Sequence, residues 1–235
     1  MQKARHNAIY IIFDYLAAAA TWGLFYCYRK IEIEPVRLGF SIPIELDWKF
    51  YVSLVAIPLF WLLLHLMSGY YRNPFRKSRV HELGTTAMVT LVGVVILFFV
   101  FVLDDWVGNY TQYYKMFGIL LLMQFVFTYI PRLVITTITN ERVHTRKLRF
   151  NTLMVGSNDR AVELYRELES QNISSGLNFI GFVYVDKQDS YQMEKYVPNF
   201  GNVDDIRKIV AERKIEEIVI AIESSEHSKI AYIIN

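Results

Sequence analysis

The sequence predicts one chain in two solvents. An α-helical transmembrane bundle of four spans fills residues 1–145, and a cytoplasmic α/β domain of Rossmann-like type fills 146–235, stopping before a doubly wound sheet is complete. Three observations predict this. Four long apolar runs, Ala8 to Tyr28, Phe50 to Tyr70, Gly84 to Leu103 and Tyr113 to Ile130, occupy the front half, and each matches the ~20 residues a helix needs to cross a bilayer's hydrocarbon core. After Phe150, short β-rich runs alternate with charged helical ones, the pattern of a layered α/β fold. The composition, 53% hydrophobic with 20% charged residues, is too apolar for an ordinary soluble domain and too charged for membrane throughout.

The first run is too long for the apolar core of a signal peptide and no small-residue cleavage site follows it, so it reads as a retained helix. Orientation follows from Lys and Arg in the short segments. The amino-terminal tail carries Lys3 and Arg5, and the second connection carries Arg72, Arg76, Lys77 and Arg79, which places both on the cytoplasmic side. The connection from Asp104 to Gln112 has no basic residue, and the first connection dilutes its cations with Glu32, Glu34, Glu45 and Asp47; both face outward. Arg132, Arg142, Arg146, Lys147 and Arg149 follow the fourth span, so both termini are cytoplasmic. Trp48, Tyr51, Trp106 and Tyr110 mark the outer interface, and Tyr70 and Tyr71 the inner one. The net charge of +2 does not suggest nucleic acid, and the single cysteine, Cys27, excludes an intrachain disulfide and a Cys-x-x-Cys metal site.

Within the spans, Asp14 lies about two turns from the cytoplasmic end, where an unpaired carboxylate costs ~2.5 to 3.5 kcal/mol. His65 on the second span and Arg132 on the fourth lie at similar depth, with Thr85 and Thr86 on the third, so Asp14 pairs with Arg132 or His65 inside the bundle. A packing role and a proton relay both accommodate such a pair; one embedded acid without paired broken helices makes a poor transporter. Pro58 and Pro131 read as bends. The strip from Ser68 to Leu83 is aromatic and cationic at headgroup level. Its charges set topology, or Arg72, Arg76 and Arg79 contact a lipid phosphate.

A span ending in Gly69-Tyr70-Tyr71-Arg72, followed by Arg76-Lys77-Ser78-Arg79 and by Glu82-Leu83, resembles the amino-terminal region of bacterial polyprenyl glycosylphosphotransferases. The resemblance extends over essentially the whole chain. It implies four spans and a CoA-binding or NAD-binding-like domain ahead of a separate catalytic module, and transfer of a hexose 1-phosphate from a UDP-sugar to undecaprenyl phosphate at the inner membrane. The partners it implies are the lipid bilayer, undecaprenyl phosphate and other polysaccharide-synthesis proteins. Membrane-bound nucleotide-sugar dehydratases share this front end, and a stand-alone membrane receptor or scaffold is a third possibility.

In the α/β domain, Arg149 to Val155 predicts a strand, Gly156-Ser157-Asn158-Asp159 a tight turn, and Arg160 to Ser170 a helix capped by Asn158 or Asp159. Free N–H groups and the helix dipole make such a turn an anion site. The dinucleotide fingerprint wants three glycines, and here Asn158 and Ala161 stand where the second and third belong. A second strand, Leu177 to Asp186, ends at the acid that would meet a ribose, later than the ~20-residue spacing expected. Gly156, Ser157, Asn158 and Asp186 are therefore the candidate nucleotide residues, a nucleotide is the one cofactor suggested, and a degenerate scaffold is the competing reading. Gly201-Asn202 ends a turn, Val203 to Lys214 predicts an amphipathic helix with Asp204 and Asp205 near its start, Glu217 to Ile222 a strand buried on both faces, and Lys229 to Asn235 the start of a further helix.

No nucleophile and base pair, metal cluster or complete phosphate loop stands out, and His6, His65, His81, His144 and His227 are scattered. No catalytic or metal-ligating residue is assigned. The small residues Ala17 to Ala20 allow close helix approach, in a homodimer or within one bundle.

Overall fold

The structure is a computed structural model that describes residues 2–35, 46–72, 75, 77–102 and 110–222. The chain divides into two compact units, Met1–Asn140 and Glu141–Asn235.

The first unit is built from four helices: α1 (Gln2–Tyr28), continued by a π-helical turn over Arg29–Ile33, α2 (Trp48–Met67), α3 (Arg79–Leu97), continued by a second π turn over Phe98–Val102, and α4 (Tyr110–His144). All four are long and apolar enough to cross a membrane. Their outward faces leave Leu16, Leu59, Leu63, Val92 and Leu122 bare, a cost in water that vanishes when hydrocarbon is the solvent. These are the features of a membrane protein. Inside, Ala18, Trp22, Phe25, Ile57, Trp61, Val94, Leu97, Met116 and Leu120 form one apolar cluster. Trp61 fits because α3 offers Gly93 opposite it; a Cβ at Gly93 would collide with the indole ring. The Trp22 indole Nε1 donates to Ser53 Oγ at 2.8 Å and ties α1 to α2.

All four helices start before their apolar runs in the sequence, and the fourth also ends well beyond its own. α3 starts at Arg79, capped by the Ser78 hydroxyl, which accepts from the His81 amide at 3.1 Å. α4 continues through Pro131 as far as His144. Hydropathy marks the part of a helix that lies in lipid, not its whole length.

The second unit has four parallel strands, β1 (Phe150–Val155), β2 (Leu177–Tyr184), β3 (Asn199–Asn202) and β4 (Glu217–Ile220), in the order β3-β2-β1-β4. This is one half of a doubly wound sheet. β1 is central, and its alternation feeds two cores. Met154 packs with Ala161 and Val162 of helix α5 (Asp159–Ser170) on one face, while Leu153 and Val155 pack with Val203 and with Ile209 of helix α6 (Ile206–Arg213) on the other. The fold class read from the sequence, four apolar helices followed by an α/β unit, is the fold observed.

Three details differ from the sequence reading. Asn199–Asn202 pairs with β2 as a strand where only a turn was expected, because four polar or small residues carry no alternating apolar signal. The expected helix from Val203 begins as a 3-10 turn over Val203–Asp205, with α6 proper starting at Ile206. β4, expected to be buried on both faces, pairs with β1 alone among the described strands and leaves Ile218 exposed. The expected helix from Lys229 lies outside the described residues.

Candidate functional site

Two places could carry function, one in each unit. In the bundle, Asp14 of α1 and Arg132 of α4 meet in a fully buried, two-pronged ion pair. Arg132 Nε donates to Asp14 Oδ1 at 2.8 Å and Nη2 to Oδ2 at 2.7 Å, while Nη1 donates to Thr86 Oγ1 of α3 at 3.1 Å. The Tyr71 hydroxyl, from the segment after α2, donates to Asp14 Oδ2 at 2.7 Å. The carboxylate thus accepts three hydrogen bonds, and a planar guanidinium is the one cation that can hold both of its oxygens at once. Burial raises the Tyr71 phenol above its ordinary range, and the Asp14 charge pushes the same way.

Around this pair lies a shell of buried polar groups. The Tyr70 ring sits 3.7 Å from the Arg132 guanidinium carbon and 3.0 Å from Lys77 Nζ. His65 does not join the pair. Its ring stacks on Trp61, one turn earlier on α2, and its Nδ1 is buried without a hydrogen-bond partner. Glu82, in the first turn of α3, is buried; it accepts from the Thr136 hydroxyl through Oε2, and its Oε1 has no partner. Thr136 also shares a 2.9 Å hydrogen bond with Tyr10 OH.

The sequence reading missed Glu82, Tyr10, Tyr71 and Lys77 as members of this cluster. Ser78, a helix-capping residue ahead of Glu82, was the available signal: it moves the helix start back and turns Glu82 from a loop residue into a helical one. Of the basic strip, Arg72 and Arg79 are exposed, and Arg76 lies outside the described residues.

In the α/β unit, the turn after β1 has the expected place in the fold but not the chemistry of a phosphate cradle. Gly156 has φ +128, and a Cβ there would collide with the Ala221 carbonyl oxygen at the end of β4. Close approach of two strand ends therefore requires this glycine without any ligand. Ser157 is buried. Asn158 caps α5, its side chain accepting from the Ala161 amide at 3.2 Å, which uses a donor that an anion would need. Asp159 adds a negative charge to the first turn. Asp186 stands exposed two residues beyond β2, the end at which a ribose-binding acid belongs. A groove of about 410 Å³ between α5 and the end of β4 is lined by Arg160, Glu163, Leu164, Glu167 and Ile220–Ile222.

A family model described as a CoA-binding domain matches residues 67–235. The chain belongs to this CoA-binding domain family. Among curated proteins, no sequence matches it. Family membership raises the question of whether these residues fit coenzyme A, and at the first turn they do not. The helix amino terminus is capped from within by Asn158, Asp159 repels a diphosphate, and the adjoining groove offers two carboxylates against one guanidinium. The turn after β1 therefore lacks the free helix amino terminus on which a dinucleotide-binding fold holds a pyrophosphate.

Proposed function

We propose that this chain is the membrane-anchoring and regulatory amino-terminal part of a polyprenyl-phosphate glycosyl-1-phosphate transferase, the enzyme type that starts a bacterial polysaccharide by moving a sugar 1-phosphate from a UDP-sugar to undecaprenyl phosphate. The carrying observation is the combination of four membrane-length helices with a CoA-binding family match that begins at the end of α2 and continues through the β3-β2-β1-β4 sheet. The cationic strip supports the reading: Arg72 and Arg79 are exposed beside the ends of α2 and α3, free to meet an anionic headgroup.

On this reading the bundle sits in the bacterial inner membrane with the α/β unit on the cytoplasmic side, and catalysis belongs to a module other than these two units. The bundle holds the enzyme at the lipid acceptor, and the α/β unit is a rigid platform for that module, for a second copy or for other polysaccharide-synthesis proteins. The test is to delete the gene in its host and assay washed membranes with UDP-sugars radiolabelled in the sugar and in the β-phosphate. Loss of label transfer into the lipid fraction, restored by the intact gene, supports the proposal. Unchanged lipid labelling overturns it, and loss of a 4-keto sugar nucleotide instead assigns the front end to a dehydratase.

A further inference from the structure

Lys77 is counted among the cations of the second connection, but neither its charge there nor the ion pair explains why its Nζ is buried. It directly precedes Ser78, the cap of α3, yet turns inward. Its Nζ lies 3.0 Å from the Tyr70 ring centroid and 4.5 Å from that of Tyr10, is closed off from solvent, and makes no hydrogen bond. The Asn140 side chain donates to the Lys77 carbonyl at 3.3 Å and holds the backbone in place from α4. The two ring faces attract an ammonium, but they leave its three N–H donors without true acceptors, and burying those is costly.

The surroundings make the charge harder still to keep. The Tyr70 ring that faces Lys77 also faces Arg132, and a guanidinium does not give up its proton, so relief of the repulsion falls on the lysine. Asp14, the nearby carboxylate, is already occupied by Arg132 and Tyr71. The other titratable groups of the cluster are His6 and Tyr10 on α1, His65 on α2, Tyr70 and Tyr71 after α2, and Glu82 on α3, whose bound oxygen is committed to Thr136.

We propose that Lys77 enters the bundle as a neutral amine and works as a pH-operated latch on the start of α3, released toward the headgroup layer when it takes up a proton. Burial, followed by the Arg132 charge, lowers the amine from 10.5 to about 7, with Asp14 acting in the opposite direction. A base depressed in the docked state binds fewer protons there than when free. Docking therefore strengthens as pH rises from about 7 towards 10.5 and is flat below about 7.

The backbone amides of Tyr70 and Glu82 report on docking, since they donate to the His65 and Ser78 carbonyls at 3.1 and 3.0 Å. The experiment is hydrogen exchange of the whole chain in neutral-lipid nanodiscs, with protection factors corrected for intrinsic exchange. Between pH 6.5 and 8.5 protection at these amides should rise at least ~10-fold in the wild type. Lys77→Met should be protected throughout with no pH dependence, and Lys77→Arg unprotected throughout. A flat wild-type profile overturns the latch. So does a Lys77→Met profile that keeps the wild-type slope, which would move the titration to His6, His65 or Glu82, and so does a protected Lys77→Arg. Should Lys77→Arg fail to fold, the wild type and Lys77→Met decide by themselves.

Discussion

Changing Asp14 to Asn removes one charge and leaves the other, Arg132, fully buried beside Thr86 and Tyr70. The loss should be about 3 kcal/mol, because a stranded buried charge costs more than the pair is worth intact. Replacing both partners together, Asp14→Leu with Arg132→Met, should recover most of that stability. Thermal unfolding of the purified protein in detergent checks both, and a single mutant as stable as the wild type would show that the pair carries no packing energy. Part of this cluster could be read from the sequence. Counting residues from the membrane face brings Asp14, His65 and Arg132 to one level, but depth says nothing of azimuth, so the choice between the two partners waited for the helix rotations that put His65 against Trp61. Glu82 was hidden for a different reason: hydropathy starts its span at Gly84, whereas the Ser78 cap starts the helix five residues earlier, at Arg79.

At the level of elements, Gly156 joins β1 to α5 under two constraints, a positive φ and the Ala221 carbonyl oxygen where a Cβ would go. Gly156→Ala should therefore destabilise the α/β unit by more than ~1 kcal/mol. Exchange at the Ala221 amide, which donates to the Val155 carbonyl at 2.8 Å, should speed up by roughly tenfold. An unchanged Ala221 amide would mean that the strand ends can part without cost. Strong elements were legible here for physical reasons: β1 ends in Leu153-Met154-Val155, buried on both faces, and α5 has Asn158 at its start. β3 was not, since Asn199–Asn202 are held by neighbours and by side-chain bonds such as the Gly201 amide to Asn199 Oδ1, not by any propensity of their own. The turn residues Gly156, Ser157 and Asn158 were found where the sequence put them, in a turn that serves the fold. A glycine required by a close backbone approach and one required by a phosphate look alike until the neighbouring strand end is seen.

On the scale of the whole molecule, the sequence separates its solvents by composition: bare leucines and valines on the four long helices, and charged helices around the parallel sheet. The arrangement suits lipid around the first unit, because soluble monomers rarely leave large contiguous apolar patches in water. The transferase reading also requires the second connection and the α/β unit to face the cytoplasm. Reporter fusions measure this directly. Alkaline phosphatase fused after Asp105 should be active and a fluorescent protein fused after Asn235 should fluoresce, with the reciprocal fusions silent. A fluorescent fusion after Asp105, an active phosphatase after Asn235, or recovery of the chain in the soluble fraction without detergent would contradict a four-span bundle with a cytoplasmic α/β unit.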